Sequence, residues 1–303
     1  MLRTPLKDVA TDEFKFVHVP SAKLDRAPVF FRNPGDQLGD WLVMPSKRKA
    51  VQPTRPKVNF IGIDFHDIGY AAALETLLDR VDGPEFQYVV TPNVDHVITR
   101  LHPESGRALE DAYDNADLIL CDSRVLSLMA SLSNIQLSPV PGSDMTYSML
   151  QSFKPGTSVA VVGGTPGMKA KLQELYPHLA WSFMHPPMGI LKSEKLQREI
   201  CDFVVDTAAA VTFFAIGAPQ SEIICNQIKR SKKASGLALC VGASLEFITG
   251  EKTRAPLWMR KLRFEWLHRL ICEPQRLAHR YLWKGPRIFV EWARWSRARN
   301  KAA

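Results

Sequence analysis

Four polar residues with chemically useful side chains follow two neighbouring apolar runs of the chain. Thr91, Asn93 and His96 come after one run, and Asp122 comes after the next. They supply a hydroxyl, an amide, an imidazole and a carboxylate, which are groups that hydrogen-bond polar ligands or accept a proton. The alternative is that Thr91-Pro-Asn93 is only a turn with a helix cap, that His96 caps or packs, and that Asp122 only caps the following helix.

Both runs have the composition of a buried strand that stops at polar residues and leads into a helical pattern. In an open α/β sheet the carboxyl ends of the strands form the edge where ligands bind, because loops and helix N-termini converge there. We therefore expect these four side chains to share one rim.

Two glycine-containing turns are further candidates for ligand binding. Gly163 and Gly164 follow an apolar run, and such a turn can bring backbone N–H groups to a phosphate. The segment lacks both the G-x-G-x-x-G and the Walker lysine patterns, so a plain strand-to-helix turn is the alternative. Gly142 begins another helical stretch, in which Ser143 or Asp144 is placed to cap the helix.

Strand and helix patterns alternate from Lys57 onward, which predicts an α/β fold with a doubly wound, mainly parallel sheet (Rossmann-like) of about six or seven strands. The run from Val58 to Ile63 is interpreted as the strand of a first β-α unit. The predicted strands cover residues 58–63, 88–91, 118–121, 180–184, 211–216 and 237–241, with one more beginning at 158.

The composition divides the chain into three parts. Residues 1–56 are rich in Pro and are predicted to be a partly disordered extension, and residues 57–250 form the α/β core. Residues 251–303 are predicted to be a basic, Trp-rich helical appendage. From residue 252 to the end there are 14 Lys and Arg against 3 Asp and Glu. This excess of positive charge predicts an anionic partner, for which nucleic acid and an anionic membrane surface both qualify.

Several classes of site and location are disfavoured. The 5 cysteines are scattered without a C-x-x-C pair, so neither a disulfide framework nor a zinc site is indicated, and a reducing cytoplasm fits best. The N-terminal stretch lacks the apolar core of a signal peptide, and the longest apolar run is too short to cross a bilayer. Any membrane contact is therefore expected to be peripheral. No D-x-D pair, the usual acidic metal site for a nucleotide diphosphate, occurs in the sequence.

A longer series of motifs resembles the WecG/TagA/CpsF family of bacterial glycosyltransferases. The resemblance spans residues 57 to 283, and its most specific part lies in the C-terminal appendage. In order, the matching segments are Thr91-Pro-Asn93, Asp122, Pro141-Gly-Ser-Asp-Met145, Val162-Gly-Gly164, Gly217-Ala-Pro-Gln-Ser-Glu222, Val241-Gly-Ala243, Arg254-Ala-Pro-Leu-Trp258, Glu265-Trp-Leu-His-Arg-Leu270, Glu273-Pro-Gln-Arg276 and Arg280-Tyr281.

The resemblance implies an inverting, metal-independent transfer of a hexose or N-acetylhexosamine from a UDP-sugar to a polyprenyl-diphosphate-linked sugar, at the cytoplasmic face of the membrane. No cofactor is implied. By resemblance Asp122 is the catalytic base. The donor-binding residues implied by the same match are Thr91, Asn93, Gly142, Asp144, Gly163, Gly164 and Gln220, and the phosphate-binding residues are Arg269, Arg276 and Arg280.

The sequence departs from the family pattern at three places: Ser123 stands where the family usually has Gly, Ser221 where it commonly has Gln, and Leu245-Glu246 where it usually has Phe-Asp. In addition, Arg280 is one residue from its usual place. These departures bear on the turn after Asp122 and on donor contacts, and Gln220 is a candidate substitute for the missing glutamine.

Two other functions fit part of the pattern. The basic, Trp-rich tail could bind nucleic acid while the α/β body senses a nucleotide, since aromatic stacking and phosphate contacts bind single strands. No nucleic-acid motif is present in the sequence, however. The other alternative is a nucleotide-dependent oxidoreductase, and the sequence lacks the dinucleotide-binding fingerprint of that class.

In the tail, Trp258, Leu262, Trp266 and Leu270 recur every four residues. Phe289, Trp292 and Trp295 continue the apolar pattern after Pro286. A helix of this kind docks on the sheet, lies at lipid headgroups, or does both on different faces. The sequence leaves open whether the chain forms a homo-oligomer.

Overall fold

The computed structural model describes residues 30–31, 42–43, 57–101, 106–253, 255–256, 259, 265–278, 282–283 and 285–302. The chain divides into two compact units, Met1–Arg48 and Lys49–Ala303. In the first unit, β1 (Phe30–Phe31) pairs antiparallel with β2 (Leu42–Val43). The remainder of the predicted extension lies outside the described residues.

The second unit begins with a β-hairpin, which corrects the predicted strand over residues 58–63. Strand β3 (Lys57–Phe60) turns back at Ile61 and Gly62 and pairs antiparallel with β4 (Ile63–His66). Both turn residues have positive φ, 48° and 72°, as a two-residue hairpin turn of this kind requires. The apolar run is continuous in sequence, but this turn reverses the chain in the middle of it.

A parallel six-stranded sheet forms the centre of the second unit and confirms the predicted α/β class. Its strand order is β6-β5-β10-β9-β7-β8, and every pairing in it is parallel. The strands are β5 (Gln87–Val90), β6 (Leu118–Ile119), β7 (Ser158–Gly163), β8 (Ala180–Met184), β9 (Val211–Ala215) and β10 (Leu237–Cys240). The four inner strands are almost wholly buried, as expected for a sheet covered on both faces.

The hairpin covers one edge of this sheet. The Ile119 N–H of edge strand β6 donates a hydrogen bond to His66 Nδ1 at 3.0 Å. Burial, and then the charge of Lys57, lower the pKa of His66, which favours the neutral ring that can accept this bond. A buried N–H group of the edge strand is thereby hydrogen-bonded.

Helices cover both faces of the sheet. The helices are α1 (Tyr70–Leu78), α2 (Val94–Arg100), α3 (Gly106–Asp114), α4 (Arg124–Leu132), α5 (Gly142–Ser152), α6 (Pro166–Leu175), α7 (Glu194–Thr207), α8 (Gln220–Ser231), α9 (Ser244–Ile248), α10 (Glu265–Cys272), α11 (Pro274–Ala278) and α12 (Arg287–Ala302), with a 3₁₀ turn at Ile190–Lys192.

Two helix layers follow from the contacts and from the right-handed rule for parallel crossovers. Helices α3, α8 and α7 pack in one series, and α1, α5 and α9 pack in another. The crossovers through α3, α7 and α8 step along the sheet in one direction and that through α5 steps in the other, so right-handed connections place the two series on opposite faces. The chain therefore leaves the adjacent strands β5 and β10 toward opposite faces, which opens a crevice at their carboxyl ends.

Candidate active site

The loops after β5, β6 and β10 meet at this crevice through direct hydrogen bonds. Thr91 donates its hydroxyl proton to the Cys240 carbonyl at 3.2 Å, which joins the ends of β5 and β10. The Asp122 N–H donates to the Pro92 carbonyl at 3.1 Å, which joins the ends of β6 and β5. The structure therefore brings Thr91 and Asp122 onto one rim.

The Asp122 carboxylate is held by the N-terminus of α5. Its Oδ1 accepts a hydrogen bond from the Gly142 N–H at 2.9 Å. The cap of α4 is instead Ser123, whose hydroxyl accepts from the Leu126 N–H at 3.2 Å. The reading of Asp122 as the cap of the following helix is therefore wrong, and Ser123, a departure from the family pattern, has a local structural role.

The N-terminus of α5 differs from the prediction. The helix begins at Gly142 with Pro141 as its N-cap residue, so Ser143 and Asp144 lie inside the first turn and not at the cap. The first N–H group of the helix instead donates to Asp122, which follows strand β6, and local sequence cannot reveal such a contact. A Cβ atom on Gly142 would lie 3.0 Å from Thr91 Oγ1, so glycine allows the helix to approach the rim closely.

Asn93 and His96 form the cap of α2 at the same edge. Asn93 Oδ1 accepts from the Asp95 N–H at 3.0 Å, and His96 Nδ1 lies 3.3 Å from the Asn93 backbone nitrogen. The capping role considered for His96 is therefore present. The other ring nitrogen, Nε2, lies 3.4 Å from Oε1 of Glu222 on α8.

Glu222 was not among the candidates from sequence, although it ends the motif Gly217-Ala-Pro-Gln-Ser-Glu222. Its side chain is only 2% exposed. Nearby, the hydroxyl of Tyr113 is buried, and burial together with the charge of Glu222 raises its pKa well above the ordinary value. A buried acidic group therefore lies directly behind the rim.

A sequence model described as Glycosyl transferase WecG/TagA/CpsF family matches residues 58–302. This match covers the whole sheet, the rim and the C-terminal helices. The chain belongs to the WecG/TagA/CpsF glycosyltransferase family. Members of this family are glycosyltransferases of cell-envelope polysaccharide synthesis, and this chain is therefore a glycosyltransferase of that general kind.

Gln220 lies one strand further along the same edge of this glycosyltransferase. Its Nε2 donates to the Ile216 carbonyl at 3.1 Å in the loop after β9. Ser221, which replaces the usual family glutamine, is buried and donates to the Gly217 carbonyl at 3.2 Å. Of the two, the half-buried Gln220 is the one still partly open to solvent, so its candidacy as the substitute remains a prediction.

Gly163 and Gly164 lie at the carboxyl end of β7, farther from the rim. With neighbouring strands about 4.8 Å apart, β7 lies about 14 Å from β5. A Cβ on Gly163 would lie 2.7 Å from the backbone of Ala215 in β9, so close strand packing alone requires glycine there. At the N-terminus of the next helix the Thr165 hydroxyl donates to Glu251 Oε1 at 2.6 Å. The phosphate role of this turn remains a prediction.

The side chains of the phosphate-binding arginines implied by the family lie outside the part of the chain that the structure describes. Arg269 belongs to α10 and Arg276 to α11, but their side chains lie outside the described residues, as does the whole of Arg280. The stripe predicted from Trp258 to Leu270 falls partly outside them too. The sequence assignments of these arginines therefore stay predictions.

The last helix of the appendage, α12, docks on the body along one face. Ile288 is buried, the Trp292 indole N–H donates to Ser133 Oγ at 2.7 Å, and the Trp295 N–H donates to Asn59 Oδ1 at 3.2 Å. The Trp295 ring also packs edge to face against the Phe60 ring, with 5.2 Å between the ring centroids. Of the two arrangements considered for the tail, docking therefore holds for this face of α12.

The other face of α12 and the segment at residues 282–283 before it are exposed. Trp283 is 78% exposed, and Phe289 and Val290 are 55% and 51% exposed. Arg294 and Arg297 are exposed as well, with Arg294 paired to Glu291 on the same helix. Arg299 differs, because it donates to the Ser133 carbonyl at 2.8 Å and lies over the Trp295 ring.

Two features are absent from the described residues. No group of three or more His, Cys, Asp and Glu side chains there is arranged to hold a metal ion. None of the helices in the described part of the chain combines the length and the apolar character that a membrane span requires.

Proposed function

We propose that this glycosyltransferase moves a hexose or N-acetylhexosamine from a UDP-sugar to a polyprenyl-diphosphate-linked sugar, with inversion and without a metal ion. The observation that carries the proposal is the placement of the Asp122 carboxylate. It lies at a strand end beside Thr91 and is held at 2.9 Å by the first N–H of α5. An acidic side chain fixed at the ligand-binding edge of an α/β sheet is suited to general-base chemistry.

In the proposed reaction the acceptor hydroxyl oxygen attacks the anomeric carbon from the face opposite the UDP. Asp122 takes the hydroxyl proton as the new C–O bond forms. The bond between the anomeric carbon and the UDP oxygen breaks, and UDP leaves with the electron pair. Each carboxylate oxygen can accept more than one hydrogen bond, so the Gly142 contact orients the base without preventing proton transfer.

The donor sugar and uridine are assigned to neutral hydrogen-bonding groups on the rim. Thr91 donates to the Cys240 carbonyl, and its oxygen keeps lone pairs that can accept from a ligand hydroxyl. Asn93 uses Oδ1 for the cap of α2, and among the described residues no group accepts a hydrogen bond from its Nδ2. Asp144 in the first turn of α5, and Gln220 after β9, complete the proposed donor site.

The charge that develops on the leaving UDP is assigned to arginines of the C-terminal appendage. A guanidinium group can bind two phosphate oxygens at once and stabilises the anion in place of a metal. Arg269 and Arg276 match the family pattern, and Arg280 is one residue from its usual place in it. The absence of a D-x-D pair from the sequence supports a donor site without a metal ion.

The proposed location is the cytoplasmic face of the membrane, with peripheral binding to anionic lipid. Support comes from the exposed apolar residues Trp283, Phe289 and Val290 beside the exposed Arg294 and Arg297. Apolar side chains at the headgroup boundary, together with basic residues, are the composition that binds anionic membrane surfaces.

The test is a screen of UDP-sugars with a short polyprenyl-diphosphate-sugar acceptor, following UDP release and product mass. One sugar is expected to give UDP and a product heavier by one sugar residue. In parallel, co-sedimentation with anionic liposomes is compared with binding to single-stranded DNA. Tight DNA binding without product from any UDP-sugar would leave the nucleotide-sensing, nucleic-acid-binding alternative.

A further inference from the structure

Glu222 is a charged residue in an unusual position. It is 2% exposed, and its Oε2 is buried with no hydrogen-bond partner among the described residues. Glutamate is almost never fully buried unless paired, because removing a carboxylate from water is costly. Its retention behind the rim therefore calls for a role that a neutral, apolar side chain would not fill.

The partner of Glu222 is His96, and through it Asn93. His96 Nε2 lies 3.4 Å from Glu222 Oε1, and on the other side of the ring Nδ1 lies 2.9 Å from Asn93 Oδ1 and 3.3 Å from the Asn93 nitrogen. Both ring nitrogens are thus engaged, one by the carboxylate and one by Asn93. The Asn93 side chain cannot rotate without losing the contacts on this ring.

The three residues come from two helix starts that meet at the carboxyl edge of the sheet. Asn93 and His96 follow β5, whereas Glu222 is in the first turn of α8, which follows β9. Strand β10 lies between β5 and β9. The contact therefore ties the start of α2 to the start of α8 across the strand that separates β5 from β9.

Other contacts already hold α8 in place. Farther along α8, Asn226 Nδ2 donates to Asp111 Oδ2 of α3 at 2.7 Å, and Lys229 pairs with Asp117 at 2.7 Å. These contacts lie away from the rim. They also supply a matched control, because Asn226 is a buried polar residue of the same helix with no contact to Asn93.

We propose that Glu222 and His96 are positioning residues for Asn93 in donor binding. Glu222 fixes the orientation of the imidazole, and the imidazole fixes the Asn93 side chain so that its amide Nδ2 is presented to the UDP-sugar. The inference rests on the proposed function and deepens it, because it names the groups that set donor affinity apart from the base, Asp122.

The test is a double-mutant cycle measured on the full chain, with KM for the UDP-sugar and UDP affinity by calorimetry as readouts. Glu222→Gln keeps the side-chain volume and removes the buried charge, so the melting temperature is expected to hold. His96→Phe/Glu222→Met removes both partners together and avoids an unpaired buried carboxylate. Each variant is expected to raise KM about tenfold and to change kcat less than threefold, the loss expected for one hydrogen bond of a charged pair.

The decisive comparison is made in the Asn93→Ala background. Positioning residues act through Asn93, so neither variant should raise KM further there. The control Asn226→Ala should lower the melting temperature, leave KM unchanged, and have the same effect with or without Asn93.

Two results overturn the inference. If the Glu222 and His96 variants raise KM by the same factor in the Asn93→Ala background, or leave KM and UDP affinity at wild-type values, they do not act through Asn93, while the transferase function stands. If the wild-type chain neither binds UDP nor turns over any UDP-sugar, the proposed function fails and this inference fails with it.

Discussion

Replacing Asp122 by Asn separates its proposed catalytic role from its structural one. Asn keeps the shape and an oxygen that can still accept from the Gly142 N–H, which is 2.9 Å from Oδ1 in the wild type. What is lost structurally is the charge at the start of α5, worth about 1 kcal/mol. That corresponds to a decrease in melting temperature of about 2–4 °C for a domain of this size. The variant is therefore expected to stay folded at the assay temperature.

The expected kinetic loss is much larger. Removing a positioned general base should lower kcat by about 10²- to 10⁴-fold, equivalent to about 3–5 kcal/mol of transition-state stabilisation. UDP affinity should remain near the wild-type value, because in the proposed mechanism the base contacts the acceptor hydroxyl and not UDP. The assay is initial-rate UDP release under saturating donor, with calorimetric UDP binding and a thermal melt on the same preparation.

A second aspartate provides the matched control. Asp67 Oδ1 accepts from the Ser138 N–H at 3.0 Å, a carboxylate-to-backbone contact like that of Asp122 but outside the rim. Asp67→Asn should lower the melting temperature by a similar amount and keep kcat. Wild-type kcat in Asp122→Asn, or an equal loss of kcat in both variants, would refute the assignment of Asp122 as the base.

Four further outcomes are expected. Addition of EDTA should leave transfer intact, and a loss that magnesium or manganese restores would overturn the metal-free proposal. Replacing Arg269 and Arg276 by Ala should abolish transfer to a soluble acceptor in detergent, because the proposed contacts to the leaving phosphates would be lost; an effect seen only on liposomes would mean that these arginines only anchor the chain to the membrane. Replacing Arg294 and Arg297 by Gln should spare the detergent reaction and weaken liposome binding in a salt-dependent way, by about 1 kcal/mol per charge; unchanged co-sedimentation at low salt would count against the membrane-binding face. The pKa of His66 is lowered by burial and by Lys57 from an ordinary value of 6.5. The stability contributed by the neutral ring is therefore complete above that pH and is lost as the pH falls below it, so the melting temperature should drop from pH 7 to pH 5, and drop less in His66→Gln.

The strands of the sheet were predictable because burial on both faces leaves a direct mark on local sequence. The runs at β7, β9 and β10 are short, apolar and separated by helical patterns, which is the signature of parallel α/β units. The hairpin was not predictable in this way. Its turn at Ile61 and Gly62 interrupts an apolar run, and only the pairing of β3 with β4 shows where the chain reverses.

The candidate site divides in the same manner. Sequence identified Thr91, Asn93 and Asp122, because polar residues at the ends of apolar runs must lie at the strand ends of an α/β sheet. It did not identify Glu222 as part of the candidate site, nor Asp122 as the acceptor for the first N–H of α5. His96 and Glu222 are 126 positions apart in sequence, and Asp122 and Gly142 are 20 apart, so local sequence does not show these contacts.

By itself, then, the sequence determined the α/β class, the glycosyltransferase family and the rim residues, since strand composition and motif order are local properties of the chain. The tertiary structure decided which groups hold those residues in place. In the tertiary structure the Asp122 carboxylate accepts a hydrogen bond from the Gly142 N–H, and His96 lies between Asn93 and the buried Glu222. Trp292 and Trp295 of α12 donate hydrogen bonds to the body. Such contacts depend on strand order and helix packing, which bring distant segments together and leave no periodic signal along the chain.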